Sequence, residues 1–276
     1  MKFQHASADD AQKAQRISAF FPCYNDEHTI GAIVLTADKT LANLTADYEI
    51  IVVNDGSTDG SHRVLEDLTQ SVPVLTVITH ANNRGYGGAL QSGFAAATGD
   101  LVFYTDGDGQ YDPSEMELLL DALTADVDVV NGYKKTRSDS IIRKILGAAY
   151  NYVATTMLRI PMRDLDCDFR LFRGHIARLL QFTTRGGIVC AQMMQQVHQS
   201  GCRIAEVPVT HLHRQYGKSQ FFQLSNILSL AVDLMRLWWI SLSAKPIPIS
   251  GCKLTAGNGT DAHSSEVMGE ADGPSK

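Results

Sequence analysis

Asp100-Leu-Val-Phe-Tyr-Thr-Asp106-Gly-Asp108-Gly-Gln110-Tyr-Asp112-Pro113-Ser-Glu115 carries the pattern that decides the fold. Its apolar, aromatic and β-branched start predicts a buried strand over 100–105. Asp106-Gly-Asp108-Gly then breaks the strand. Asp112-Pro113-Ser114-Glu115 is a helix start, with Asp as N-cap, Pro at the first helical position and Glu at the third. The same strand, polar loop, helix grammar recurs upstream. Ile17 to Phe21 predicts a strand ended by Pro22, followed by a helix through Ile30, Ile33, Val34 and Leu41. Tyr48 to Val53 predicts a strand ended by Asn54-Asp55-Gly56, and a helix runs from about Asp59 to Thr69. Val74 to Thr79 is a third strand, Gly85 to Thr98 a small-residue helix, and Val127 to Asn131 a fifth strand. This alternation predicts an α/β fold with a mostly parallel sheet between helices.

After residue 133 the alternation loosens. Residues 141–158 predict an amphipathic helix, 169–172 a strand, 190–200 a helix capped by Gly201, 203–210 a strand, and 221–242 an apolar helix. The expected organisation is a flexible N-terminus over 1–15 and one α/β domain over 16–220. An amphipathic helix over 221–243 either covers the core or lies at a membrane interface, and a disordered tail covers 244–276.

The chain has 276 residues, of which 44% are hydrophobic and 20% charged, an ordinary globular balance. Its 30 acidic and 24 basic residues give a net charge of −6, which argues against a nucleic-acid binder. The opening MKFQHASADD has no apolar core, so no secretory signal is expected and the cytoplasm is the expected compartment. Five cysteines without a C-x-x-C pair point to free, inert thiols rather than zinc or a disulfide framework.

In an open parallel sheet, ligands bind outside the carboxyl ends of the strands. Three such ends here are acidic: residues 22–27, 54–60 and 106–110. Acidic groups converging on one edge repel one another unless a cation or hydrogen-bond donors lie among them. Asp106 and Asp108, two apart in an extended segment, aim the same way. With the amide oxygen of Gln110 they make a hard oxygen set suited to Mg²⁺ or Mn²⁺, leaving positions for phosphate oxygens and water. A calcium EF-hand is excluded, because Tyr111 stands where glycine is needed and Pro113 interrupts the loop.

Four motifs then fall in order: F-P-C-Y-N-D-E at 21–27, V-N-D-G-S-T-D-G at 53–60, N-R-G-Y-G-G-A at 83–89 and D-G-D-G-Q-Y-D-P at 106–113. Together they resemble the inverting family 2 glycosyltransferases of GT-A fold. With D-F-R-L-F-R at 168–173 and R-x-x-G-K-S at 214–219, the chain looks most like the dolichol- or polyprenyl-phosphate sugar transferases. The resemblance implies a GDP- or UDP-linked sugar donor and a divalent metal. Pro22, Tyr24, Asn25, Glu27, Asp55, Gly85 and Asp106 would bind the donor, and Asp106, Asp108 and Gln110 the metal. Arg170, Arg214 and Ser219 would contact phosphate, and Asp108, Asp168, Arg170 and Arg214 would carry catalysis. Lys135, Arg137 and Arg143, with Lys134 and Lys144, form a basic cluster that reads either as a solvated face or as a guide for an acceptor phosphate or anionic lipid.

Charge builds on the departing diphosphate in such a transfer, and a metal with an arginine stabilises it. A phosphate acceptor is ionised at neutral pH and needs no base. A hydroxyl acceptor on a glycan, lipid or small molecule needs one, and Asp168 would be that base. Alternatively Asp168 orients Arg170 or Arg173 through an ion pair, which is common at phosphate sites. A sugar-nucleotide-binding protein without turnover is the reading of another class. In the last helix, Leu224, Ile227, Leu228, Ala231, Leu234, Met235 and Trp238 share one face. Charge-free sequence extends only from Ser219 to Val232, short of the ~20 residues needed to span a bilayer. Trp238 and Trp239 beside Arg236 suit peripheral contact with the cytoplasmic face of a membrane.

Overall fold

The computed structural model describes residues 15–137, 141–184, 186–214, 216 and 224–243. The strands are β1 (Ile17–Cys23), β2 (Tyr48–Asn54), β3 (Leu75–Thr79), β4 (Leu101–Thr105), β5 (Val129–Arg137), β6 (Phe169–Arg173) and β7 (Ile204–His211). The helices are α1 (Ile30–Leu44), α2 (Ser61–Ser71), α3 (Tyr86–Ala96), α4 (Met116–Ala122), α5 (Ile141–Leu158), α6 (Gly174–Ala177), α7 (Val189–Gln199) and α8 (Leu224–Ser243). A short 3₁₀ turn, Pro113–Glu115, precedes α4, and the Asp112 side chain caps it by accepting from Ser114 N.

The seven strands form one sheet in the order β3-β2-β1-β4-β6-β5-β7. Only β6 runs antiparallel to its neighbours. The central strands are buried on both faces, and successive side chains alternate between two apolar layers. Phe20, Val102 and Tyr104 face the layer built with α3 and α7. Phe21, Leu101 and Phe103 face the layer built with α1 and α4. The strand order reverses between β1 and β4, which opens a crevice at their carboxyl ends.

Two boundaries differ from the sequence reading. β1 runs through Pro22 to Cys23, because Pro22 lies beyond the last β1–β4 pair and loses no ladder bond there. β5 extends to Arg137 rather than stopping at Asn131, because β7 pairs alongside it as far as His211. Among the cysteines, Cys23, Cys167 and Cys190 are free and buried, but Cys202 is disulfide-bonded, so the expectation of five inert thiols fails. Residues 1–14, the tail from 244 and Ser219 lie outside the described residues.

Candidate active site at the carboxyl ends of β1, β2 and β4

The loops after β1 and β2 interlock. Asn25 adopts a left-handed φ of 58°, and its Oδ1 accepts from Thr58 N at 2.8 Å. Asn25 N donates to Ser57 Oγ at 3.0 Å. Glu27 Oε2 accepts from Gly60 N at 2.6 Å, at the start of α2. Asn25 and Glu27 therefore tie the loop after β1 to the loop after β2. Pro22 is buried in β1, and its carbonyl accepts from Gly107 N at 3.1 Å, tying β1 to the loop after β4. Tyr24 is 40% exposed beside them. At the end of β2, Asp55 is buried, and its Oδ1 accepts from Arg84 N at 2.8 Å and His80 Nδ1 at 2.6 Å. Gly85 follows with a φ of 81°, a left-handed conformation that glycine adopts freely, and begins α3.

The chain leaves β4 at Thr105, so Asp106 and Asp108 sit in a turn, not in the extended segment expected from their spacing. They still converge on one crevice. Asp106 Oδ1 accepts from Tyr86 Oη at 2.6 Å. Asp108 Oδ2 accepts from Arg214 Nη2 at 2.8 Å, and its Oδ1 from Gln110 N at 3.0 Å. Burial pushes the Asp106 carboxyl well above the ordinary range, and repulsion from Asp168 and Asp108 adds to the shift. Burial raises Asp108 too, with Arg214 opposing the shift. Gln110 Nε2 donates to Leu212 O at 3.2 Å and lies 3.3 Å from His211 Nε2, while Gln110 Oε1 takes no hydrogen bond among the described residues. No cluster of three or more His, Cys, Asp or Glu able to hold a metal occurs among the described residues. The donor set at this edge is two carboxylates, Asp106 and Asp108, and the Gln110 amide. Its crowded carboxylates suit a divalent cation.

Asp26 adjoins this cluster. Burial and the neighbouring Asp108 raise its carboxyl to about 6, against the bond it accepts from Tyr24 N. The unfolded chain ionises near 3.8, so folding loses stability as pH rises from there to about 6, and the loss persists above. Asp26→Asn is expected to stabilise the protein at pH 8 by up to ~3 kcal/mol and to change little at pH 4. Thermal melts at the two pH values check this; equal shifts at both would contradict it.

β6 inserts antiparallel between β4 and β5, which carries residues 164–168 to the same edge as Asp106. Arg170 is fully buried, which corrects its expected place on a phosphate. Its Nε donates to Asn131 Oδ1 at 2.7 Å and Nη2 to Leu165 O at 2.7 Å. Its Nη1 donates to Tyr104 Oη and, at 3.3 Å, to Asp168 Oδ1. Asp168 Oδ1 also accepts from Tyr104 Oη at 3.1 Å and Cys190 Sγ at 2.8 Å. The ion-pair reading of Asp168 therefore holds, with Arg170 and not Arg173 as its partner. Arg173 instead donates to the carbonyls of Val127 and Thr124.

The basic cluster divides. Lys134 is buried and lies 3.7 Å from Asp166 and 3.9 Å from Asp164, so it is neither a solvated face nor an acceptor guide. Lys135 and Lys144 are exposed, Arg137 ends β5 and Arg143 lies in α5. The described half of α8 buries Leu234 and Leu237 and turns Val232, Met235, Trp239, Ile240 and Leu242 outward. Met235 thus departs from the face that periodicity assigned it. No described helix is long and apolar enough to cross a membrane. Sequence reading missed Asp26, His80, Tyr86 and His211. Asp26 and Tyr86 each stood in a quoted motif, which was the signal that could have found them.

The family model described as glycosyl transferase family 2 matches residues 18–180. An undecaprenyl-phosphate 4-deoxy-4-formamido-L-arabinose transferase of Proteus mirabilis is 31% identical over 227 residues, covering 81% of this chain and 68% of the relative. The Erwinia tasmaniensis protein of the same name is 30% identical over an equal span. Among solved structures, Mycobacterium tuberculosis glucosyl-3-phosphoglycerate synthase with UDP superposes with a TM-score of 0.64 at 18% identity, covering 91% of this chain and 88% of that one. The same enzyme with Mn²⁺, UDP and phosphoglyceric acid gives 0.61 at 20% identity, over 88% and 82%. These superpositions share the mixed GT-A sheet. The chain belongs to glycosyltransferase family 2.

Proposed function

We propose that the chain moves a sugar from a nucleoside diphosphate to a polyprenyl phosphate, with inversion at the anomeric carbon. The observation that carries the acceptor assignment is Asp168. Its Oδ1 accepts from Tyr104, Cys190 and Arg170, and this tie to the buried arginine supports an anchoring role over that of a base. A phosphate acceptor, unlike a hydroxyl, needs no base. The names of the relatives point to the same acceptor class. Tyr24, Asp55 and the Gly85 turn receive the nucleoside. Asp106, Asp108 and Gln110 would hold Mg²⁺ or Mn²⁺, which would neutralise charge on the diphosphate. A solved neighbour carries Mn²⁺ beside UDP. Arg214, a quarter exposed and paired with Asp108, turns to the diphosphate as the glycosidic bond breaks. The acceptor phosphate attacks the anomeric carbon from the opposite face. The bond to the diphosphate breaks, and its electron pair leaves with the nucleoside diphosphate.

Exposed Lys135 and Lys144 steer the acceptor anion. The outward residues of α8 rest on the cytoplasmic membrane face where such a lipid resides. Asp168→Asn separates this reading from the hydroxyl alternative. With a prenyl phosphate it is expected to lower turnover about tenfold, the size of one weakened hydrogen bond. Loss of a general base costs about 10²–10⁴-fold. Wild-type transfer to the prenol as well, with nearly complete loss on Asp168→Asn, would overturn the phosphate assignment.

A further inference from the structure

Behind Asp55, His80 and Ser92 continue a chain of hydrogen bonds, and neither residue has a part in the reaction described above. Asp55 follows β2, His80 follows β3, and Ser92 lies within α3. His80 Nδ1 is 2.6 Å from Asp55 Oδ1, and its Nε2 is 2.9 Å from Ser92 Oγ. The imidazole and the carboxylate are 5% and 4% exposed. His80 N donates to Asn54 O at 2.9 Å, which fixes the ring beside the end of β2. Donation from Nδ1 to the carboxylate leaves Nε2 to accept the Ser92 hydroxyl proton, so the carboxylate sets the tautomer and the serine holds the far side of the ring. The order Ser-His-Asp resembles a hydrolytic triad, but Ser92 sits mid-helix, where the surrounding amides are bonded within α3, and no oxyanion hole faces it.

The consequence falls on Asp55. Oδ1 accepts twice, from His80 and from Arg84 N, while Oδ2 accepts no hydrogen bond among the described residues. We infer that His80 and Ser92 are positioning residues that present Oδ2 alone to the donor's nucleobase, and that this arrangement selects uracil over guanine. The inference rests on the proposed place of Asp55 in the nucleoside pocket. Uracil offers one imino N–H flanked by two carbonyls, which a single carboxylate oxygen satisfies. Guanine offers an N–H and an adjacent amino group, which together need both oxygens. Its second donor would meet an oxygen already capped by His80 and Arg84, and would be left unpaired in a desolvated pocket.

The test measures the affinities of the full chain for UDP and GDP by calorimetry with Mg²⁺ present. Four substitutions are compared: His80→Phe, His80→Asn, Ser92→Ala and Asp55→Asn. The wild type is expected to prefer UDP by at least about tenfold, the scale of one unpaired donor. His80→Phe removes the Nδ1 donor and is expected to weaken UDP about tenfold and to narrow the preference. The amide nitrogen of Asn sits where Nδ1 does, so His80→Asn is expected to restore most of both. A rescue of selectivity is a result that general loosening of the fold would not give. Ser92→Ala is expected to cost less, about threefold, and it keeps the test alive should His80→Phe fail to fold. Wild-type affinity and selectivity in His80→Phe and Ser92→Ala, with both lost in Asp55→Asn, would overturn the positioning role alone. Unchanged affinity in Asp55→Asn would remove the nucleoside pocket itself, and the inference with it.

Discussion

Asp108→Asn is expected to lower transfer by about 10³-fold while leaving the melting temperature within a few degrees of wild type. Asp108 lies in the turn after β4, and asparagine has the same shape, so the substitution makes no cavity. It keeps an oxygen to accept from Gln110 N and removes one negative charge from a cluster that repels itself. The fold therefore tolerates it. Chemistry does not, because the substitution weakens the hold on a divalent cation and releases Arg214 from its partner. Both act on the diphosphate as it gains charge. Turnover with saturating Mn²⁺, measured beside a thermal melt, checks the two halves. Wild-type activity in the presence of chelator would contradict the metal assignment.

Arg170→Ala has the opposite signature, a large loss of stability rather than a selective loss of acceptor binding. The guanidinium is fully buried and bonds to Asn131, Leu165 O, Tyr104 and Asp168 at once. Removing it strands the Asp168 charge and three polar partners, a class of change that costs about 3–5 kcal/mol. That is a large share of the ~5–15 kcal/mol stabilising a typical domain. The melting temperature is expected to fall by about 10 °C or more, with poor soluble yield. Arg170→Lys is not expected to rescue it, since one ammonium cannot reproduce the planar fork. A variant that melts like wild type yet no longer binds a prenyl phosphate would return Arg170 to the phosphate site.

The contrast between these two residues marks what the sequence made legible. The three acidic strand ends followed from local pattern, because each strand and the loop leaving it are contiguous in the chain. Apolar and β-branched runs predicted every described strand, most to within two residues, although β5 ran six residues past its expected end. The antiparallel insertion of β6 was not legible, because strand order depends on pairings between residues far apart in sequence. Arg170 was misplaced for that reason: D-F-R-L-F-R looks like a strand with surface arginines until β4 and β5 close on either side of it. His80 and Tyr86 went unnoticed because their partners, Asp55 and Asp106, stand 25 and 20 residues away. Lys134 looked like one of five basic surface residues until Asp164 and Asp166 folded over it. Asp55, Asp106 and Asp108, which belong to local motifs, follow the carboxyl ends of β2 and β4 directly.

The most direct test of the central claim incubates the full chain with a short-chain prenyl phosphate, Mn²⁺ or Mg²⁺, and a panel of uridine- and guanosine-diphosphate sugars. Released nucleoside diphosphate and lipid-linked sugar are measured in the same reaction. The account predicts that at least one donor gives the two products in equal amounts, and that both disappear together with Asp108→Asn. Release of nucleoside diphosphate only when a hydroxyl acceptor replaces the phosphate, with no sugar-linked prenyl phosphate from any donor, would contradict it.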